Sequence, residues 1–390
     1  MRFRRTAIVI LIFLLAQPLL FAQEDNPAVG SMPRLRALGG FHASAVEGID
    51  ALILNPAALR RGDSEFAALE LTAGVSGPVF SILSVVTQAQ GGDIASVLSS
   101  PAVLDLLSNI NVGAGLDGPL SFGFAGNGLG FGIVNRTLLN VENLTPTSLL
   151  IEVTERVTLR GAYAVRLLDI DRTLSLDLGV GLYGIVAGGV QLERSILQIA
   201  DLVSSLNADL LLGQAFSVTS GIGLDLALEA SLRDVLVLSL TGANVVSPNV
   251  TYTYDTADDF IQNANPSSGP VAGDYRRLIS FSAGFTPSLG RLERYLSGFA
   301  AYFTYRDIFD FILEPATAEN IFLKFSLGTE VTLLDVLDIR LGFGEGLLAA
   351  GLGLDLSAFR LHLSVFGAEE SIEPGLRPTF NTIFGLQFRY

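Results

Sequence analysis

The chain of 390 residues has no cysteine, only two histidines (His42 and His362) and a single lysine, Lys324. Without cysteine no disulfide staples the fold, and no lipid is attached through an N-terminal thiol. Two histidines starve any His-based metal site or nucleophile–base pair, so neither a metal, a cofactor nor an enzyme activity is expected. A formal charge of −15 works against binding a polyanion, which excludes nucleic acid as an expected partner. Past residue 23 there is no uninterrupted apolar run of about 18 residues, the length a spanning helix needs. Yet 49% of the residues are hydrophobic and mean hydropathy is positive. Apolar residues in that number, without a spanning helix, point to strands that cross a membrane as a closed β-barrel.

What is there is alternation. In TLSLDLGVGLYG, Leu174, Leu176, Leu178, Val180 and Leu182 share one face, and Ser175, Asp177, Gly179, Gly181 and Tyr183 the other. GIGLDLALEA sets Ile222, Leu224, Leu226 and Leu228 against Gly223, Asp225, Ala227 and Glu229. ERVTLRGAYAVRL sets Val157, Leu159, Tyr163, Val165 and Leu167 against Thr158, Arg160 and Arg166. The same period places Lys324, Arg340 and His362 on minor faces of later segments. A soluble sandwich would turn the apolar row inward. The abundance of Gly, Ser and Ala on the polar face, the number of strands and the exported N-terminus favour apolar-out, with Arg160, Arg166, Asp177, Asp225, Lys324, Arg340 and His362 facing the lumen.

Residues 1–22 read as a secretory signal peptide: Arg2, Arg4 and Arg5, an apolar stretch from Ala7, and a cut after Ala22. A membrane anchor is the competing reading, but Gln17 and Pro18 interrupt the run. Export places the chain in the outer membrane of the cell. Residues 23–62 then form a small N-terminal hatch, and 63–390 the barrel. The fold expected is all-β: a transmembrane antiparallel barrel of about fourteen strands, within the bacterial range, with short helices in extracellular loops. Strands are expected near 65–76, 119–126, 128–137, 150–168, 173–190, 215–230, 234–246, 276–287, 297–307, 319–333, 337–345, 347–356, 358–367 and 378–390. GNG at 126–128 and GEG at 344–346 mark tight hairpins. Residues 87–112 and 193–212 carry apolar residues at helical spacing, and YDTADDFIQNANPSSGPVAGDYRR reads as an acidic loop.

Some motifs carry nothing. Gly113-Ala-Gly115-Leu-Asp-Gly118 fits a dinucleotide fingerprint in letters, but a strand follows it rather than a helix. Asp255, Asp258 and Asp259 match no ordered calcium loop. His362 sits among Arg360 and Ser364 as a polar lumen residue.

The stretch RLRALGGFHASAVEGIDALILNPAAL, 34–59, is small, apolar and rich in turns, which suits a plug. It resembles the N-terminal hatch of the FadL family of outer-membrane transporters, whose apolar segment closes on Asn-Pro-Ala-Gly-Leu. Here it reads Asn55-Pro56-Ala57-Ala58-Leu59, with Ala58 for the usual Gly and Glu47-Gly48 where an acidic pair is common. The closing hairpins, from Glu319 to Phe380, resemble FadL-like proteins of spirochaetes and type IX secretion systems, which include proteins not shown to carry fatty acids. The resemblance implies uptake of a hydrophobic small molecule such as a long-chain fatty acid, with Gly39, Gly40, Glu47, Asp50, Asn55 and Pro56 gating. It also implies sideways release through the wall, where Gly179, Gly181, Gly184, Gly188 and Gly189 would form kinks. Glu47 and Asp50 are expected to pair with wall arginines such as Arg160 or Arg166. The alternative is a barrel that does not transport: a scaffold, adhesin or secretion shuttle. Phe384, Leu386, Phe388 and Tyr390 read as a lipid-facing row and as the C-terminal signal for barrel assembly machinery, with membrane lipids and a hydrophobic ligand as the other partners.

Overall fold

The computed structural model describes residues 31–62, 64–78, 111–119, 121–145, 148–171, 173–195, 208–233, 235–291, 296–313, 315, 318–356 and 358–389. The expected signal peptide, most of the helical stretch 87–112, and Tyr390 lie outside the described residues.

One antiparallel sheet holds seventeen hydrogen-bonded segments. Three strands are each broken once, so the described residues form fourteen wall strands. These are β1 (Glu65–Ser76), β2 (Asn111–Asp117 and Phe122–Gly126), β3 (Leu129–Thr145), β4 (Ser148–Ile170), β5 (Leu174–Ser195) and β6 (Phe216–Leu232). Next come β7 (Leu236–Val246 and Pro248–Tyr254), β8 (Ser268–Asp274 and Leu278–Phe285), β9 (Gly298–Tyr305) and β10 (Phe325–Leu333). The last are β11 (Leu337–Gly344), β12 (Leu347–Leu356), β13 (Phe359–Glu369) and β14 (Pro378–Arg389). β1 pairs with β14, Ala67 opposite Arg389 and Ser76 opposite Asn381, and on its other side with both halves of β2. The sheet therefore closes and leaves no edge in lipid.

The alternation fixes which face is which. Leu159, Tyr163, Leu182, Ile222, Leu341 and Leu348 are all exposed, whereas Arg160, Asp177, Asp225 and Arg340 are at most 4% exposed. The barrel is apolar outside and polar inside, the reverse of a soluble protein. No helix among the described residues is long and apolar enough to cross a membrane; the strands do so. Phe384 and Phe388 are exposed on β14, as their phase requires, and Gly385 between them is buried.

On β4 the outward row above Val157 meets Glu155. Glu155 accepts hydrogen bonds from Asn135 (3.2 Å) and from Thr137, both outward-facing on β3. Above this polar belt the outward face is apolar again, but covered. Ile151, Val153, Val190 and Leu192 are buried with Phe216 against Leu210 and Leu211 of the short helix Ala208–Leu212. At that height the outward face is buried by protein.

The turns follow local chemistry. Asn127-Gly128 and Glu345-Gly346 both take positive φ at both positions, which hairpin twist favours. Leu334-Asp335 does the same with no glycine, so the sequence carried no sign of it. Four expectations on elements need correction. β2 begins at Asn111, where a helix was expected. β3 runs to Thr145, not to 137. The expected acidic loop, 254–277, contains a strand, Ser268–Asp274, which pairs with Pro248–Tyr254 just before it, and the helix Ala257–Ile261 lies between the two. Residues 319–324 are no strand: Ile321–Leu323 is a 3-10 turn, because Asn320 caps it by accepting from the Phe322 N–H at 3.1 Å.

Candidate functional site

Residues 31–62 pack within the ring of strands and are here called the plug. Pro33 opens its first helix, Pro33–Ala37, where a missing N–H costs nothing. A second helix spans Gly48–Leu54 and ends at Asn55. The Asn55 side chain accepts from the Ala57 N–H (3.2 Å), starting the 3-10 turn Pro56–Arg60. The apolar core of this region is largely the plug's own: Met32, Leu35, Leu38, Val46, Ile49, Leu52, Ile53 and Leu59. The wall adds Ala67, Ala125, Ala162, Ala164, Ala300 and Tyr302.

Polar groups join plug to wall. Arg34 forks onto Glu330 of β10 (3.0 and 2.8 Å), and Arg340 of β11 holds the same carboxylate. Asn55 donates to Glu229 of β6 (2.7 Å) and to Ala43 O (2.9 Å), and Arg61 lies 3.6 Å from Glu229. His42 is fully buried, its Nε2 at 3.0 Å from Leu38 O and its Nδ1 at 2.8 Å from Thr304 Oγ1. The carbonyl can only accept, so Nε2 carries the proton. Burial pushes the imidazole down to about 4 and the Asp50 carboxyl up to about 6.

The expected ion pairs do not form. Arg160 donates to the last carbonyls of the second helix, Leu52 O (3.2 Å) and Ile53 O (2.7 Å), and pairs with Asp225 at 3.2 Å. Arg166 is taken by Asp177, 2.9 Å away, and by Asp169. Neither pairs with Glu47, which is exposed, or with Asp50. The polarity is inverted: the plug supplies the cations Arg34 and Arg61, and the wall supplies the carboxylates Glu330 and Glu229. Helix-end carbonyls need donors, which is why a wall arginine meets backbone here. Glu229 and Glu330 were legible as inward-phase acids on membrane strands.

Other expected residues fall as follows. Gly39 takes φ +87°, and Gly342 of β11 has no room for a Cβ, which would lie 2.1 Å from Leu38 C. Gly40 stands against Ser326. Gly179 makes no kink: β5 pairs without a bulge there. A Cβ on Gly179 would lie 2.1 Å from Ala57 N, so this glycine is the notch that receives the turn at Pro56. Gly184 and Gly188 face outward. His362 lies beside Arg340, 3.3 Å away. Lys324 is not a lumen residue of a strand; it is buried at the loop end of the barrel on Asp310.

The real interruptions lie elsewhere. β2 is broken between Asp117 and Phe122, and Asp117 accepts from the Ser31 N–H at 2.6 Å. In β6–β7, residues 243–245 loop out opposite Asp225, between the pairs Leu226–Gly242 and Leu224–Val246. Asn244, at φ +55°, fills this break. Its N–H donates to Asp225 (2.8 Å), its amide donates to Arg276 O (2.8 Å), and Tyr183 donates to its side-chain oxygen. Just outside lies an apolar groove of about 530 Å³ lined by Val157, Leu159, Val186, Ile222, Pro248 and Val250. Arg160 and Asp225 thus connect the end of a plug helix to a break in the wall.

No family model and no curated protein matches the chain. Solved structures similar to it include the CymD monoaromatic hydrocarbon channel, at 13% identity and TM-score 0.47, covering 93% of this chain and 98% of that one. The P. putida toluene transporter TodX is similar at 14% identity and TM-score 0.43, over 91% and 97%. A Pseudomonas aeruginosa FadL homologue is similar at 12% identity and TM-score 0.38, over 87% and 93%. The last belongs to the family that residues 34–59 resemble. The polar contacts between plug and wall remain the arrangement a function must use.

Proposed function

We propose that this chain is an outer-membrane barrel that takes up a hydrophobic small molecule, such as a long-chain fatty acid, past a plug that moves. The observation that carries the reading is the plug itself: an apolar core of its own, seated on polar and charged wall groups. Such a seat gives specific placement without a continuous apolar seal. Movement of the second plug helix removes its carbonyls from Arg160. That frees the Arg160–Asp225 pair to reorganise, and Asp225 in turn holds Asn244 in the wall break. The apolar groove outside the break offers a hydrophobic cargo a route sideways into the bilayer. No bond is made or broken in this scheme.

A second reading, a barrel that does not transport, is favoured by one observation. The cavity beside Asp50, His362 and Gln387 is only about 20 Å³, and its lining includes the charged Arg34 and Glu70. One experiment separates the two. Ser44 Oγ and Ser282 Oγ lie 2.8 Å apart between plug and wall, and the chain has no other cysteine to interfere. The variant S44C/S282C, oxidised, locks the plug. Uptake of a fluorescent fatty acid by proteoliposomes stops on oxidation and returns on reduction. Full uptake by the oxidised variant refutes the moving plug. No uptake by the unmodified protein leaves the second reading.

A further inference from the structure

The loop between β9 and β10 is built inside out. Asp307 and Asp310 are buried, at 4% and 2% exposure, on Arg276 and Lys324. Their neighbours Phe309, Phe311, Ile312 and Leu313 are exposed, as are Ile321 and Phe322 further on. A loop in water buries its apolar side chains and solvates its charges. This one repeats the pattern of the barrel wall.

The patch is continuous with the wall. The Asn320 N–H donates to Ile372 O (2.9 Å), and the Asn320 amide donates to Glu373 (2.8 Å), so the loop is tied to the one between β13 and β14. That second loop exposes Ile372 and Leu376, and it leads into Phe380, exposed on β14 in the same row as Phe384 and Phe388. The opposite side of the barrel differs. Above the Glu155 belt its outward apolar residues are covered by the helix Ala208–Leu212. The β7–β8 ribbon beyond is exposed on both faces along Ser268–Asp274.

We propose that the β9–β10 and β13–β14 loops seat Phe311, Ile312, Phe322, Leu376 and their neighbours in the outer leaflet, so that the occupant of this patch is lipid hydrocarbon. The lipid contact is then asymmetric: it stops at Glu155 on the β3–β5 side and climbs over the loops on the β9–β14 side. Bare apolar residues above a strand row act as interfacial anchors, and patches of this kind mark contacts rather than idle surface. Glu373 and Asn320 then lie at headgroup level, where polar groups are tolerated.

The chain contains no tryptophan, so a single substitution reports its own site. F322W and L376W are made separately and reconstituted in bilayers with brominated phospholipid. L182W, on the wall, serves as the embedded reference, and V271W, on the exposed ribbon, as the aqueous one. Each variant is first checked for the mobility change on boiling that a folded barrel shows. The expected result is blue-shifted emission for both loop variants, with quenching by brominated lipid at least half that of L182W and little quenching by iodide. Iodide quenching equal to V271W, without lipid quenching, overturns the proposal. Shielding from both quenchers also overturns it, and assigns the patch to a second copy or another protein.

Discussion

The Arg160 guanidinium lies 3.2 Å from the Asp225 carboxylate while its other nitrogen donates to the carbonyls of Leu52 and Ile53. The pair is buried, so neither charge has water to turn to. One side chain therefore answers to both the plug and the wall.

R160M leaves Asp225 buried without its partner, a change that costs about 3–5 kcal/mol. It also leaves the plug helix without donors at its end. Hydrogen exchange of the amides in 34–59 should speed up in R160M. In R160M/D225N part of that loss should return, giving a coupling well above additivity in a double-mutant cycle. Purely additive effects would show that the pair does not link plug to wall.

Gly179 is a notch for the plug, not a hinge of the wall. G179V places atoms where Ala57 N now lies and should loosen the plug by roughly 1–3 kcal/mol or more, read as protease access to residues 34–59 and larger single-channel conductance. The barrel should still form. G161V is the control, since a Cβ at Gly161 meets nothing within 4 Å. If G179V unfolds the barrel and leaves the plug no looser than G161V does, the notch is wrong.

Two groups of the plug contribute to the pH dependence of docking with opposite sign. Docking raises Asp50 from 3.8 to about 6, so between these values the docked plug holds a proton the released one lacks, and its stability falls as pH rises. Docking lowers His42 from 6.5 to about 4, so across that window the released plug holds the extra proton, and docked stability rises with pH. Each contribution is on the order of 3 kcal/mol, with opposite sign. D50N should therefore show docked stability rising from pH 4 to 6.5, and H42N stability falling from pH 4 to 6. Hydrogen exchange of the plug against pH checks both slopes.

Y183F removes the donor to Asn244 and should weaken the wall break by about 1 kcal/mol. Amides at 243–247 should exchange faster, while those of β11 and β12 stay unchanged. Uniform loosening of the barrel would contradict a local latch.

Much of this was legible residue by residue. Leu176, Leu178 and Val180 against Asp177 and Gly179 gave the strand, its two faces and the inversion, because a period of two needs no tertiary knowledge. Asn127-Gly128 gave its hairpin. Phe384 and Phe388 gave the outward row of the closing strand. The plug was legible as a segment, from its small residues and Asn55-Pro56, but its partners were not. Arg160 meets Leu52 and Ile53 more than a hundred residues away, and no local rule says that an arginine will take helix-end carbonyls instead of Glu47 or Asp50.

The alternation by itself determined a barrel with an apolar exterior, since a strand's side-chain period and the cost of an unpaired backbone in lipid leave no other closed solution. Only the tertiary structure decided what the inward groups do. Glycine looks alike in a kink and in a notch, and Gly179 became a notch because the turn at Pro56 occupies the space its side chain would fill. A break in the wall fell at Asn244 because closure brings Asp225, Arg276 and Tyr183 together around one backbone loop, and that convergence is written in no single stretch of the chain.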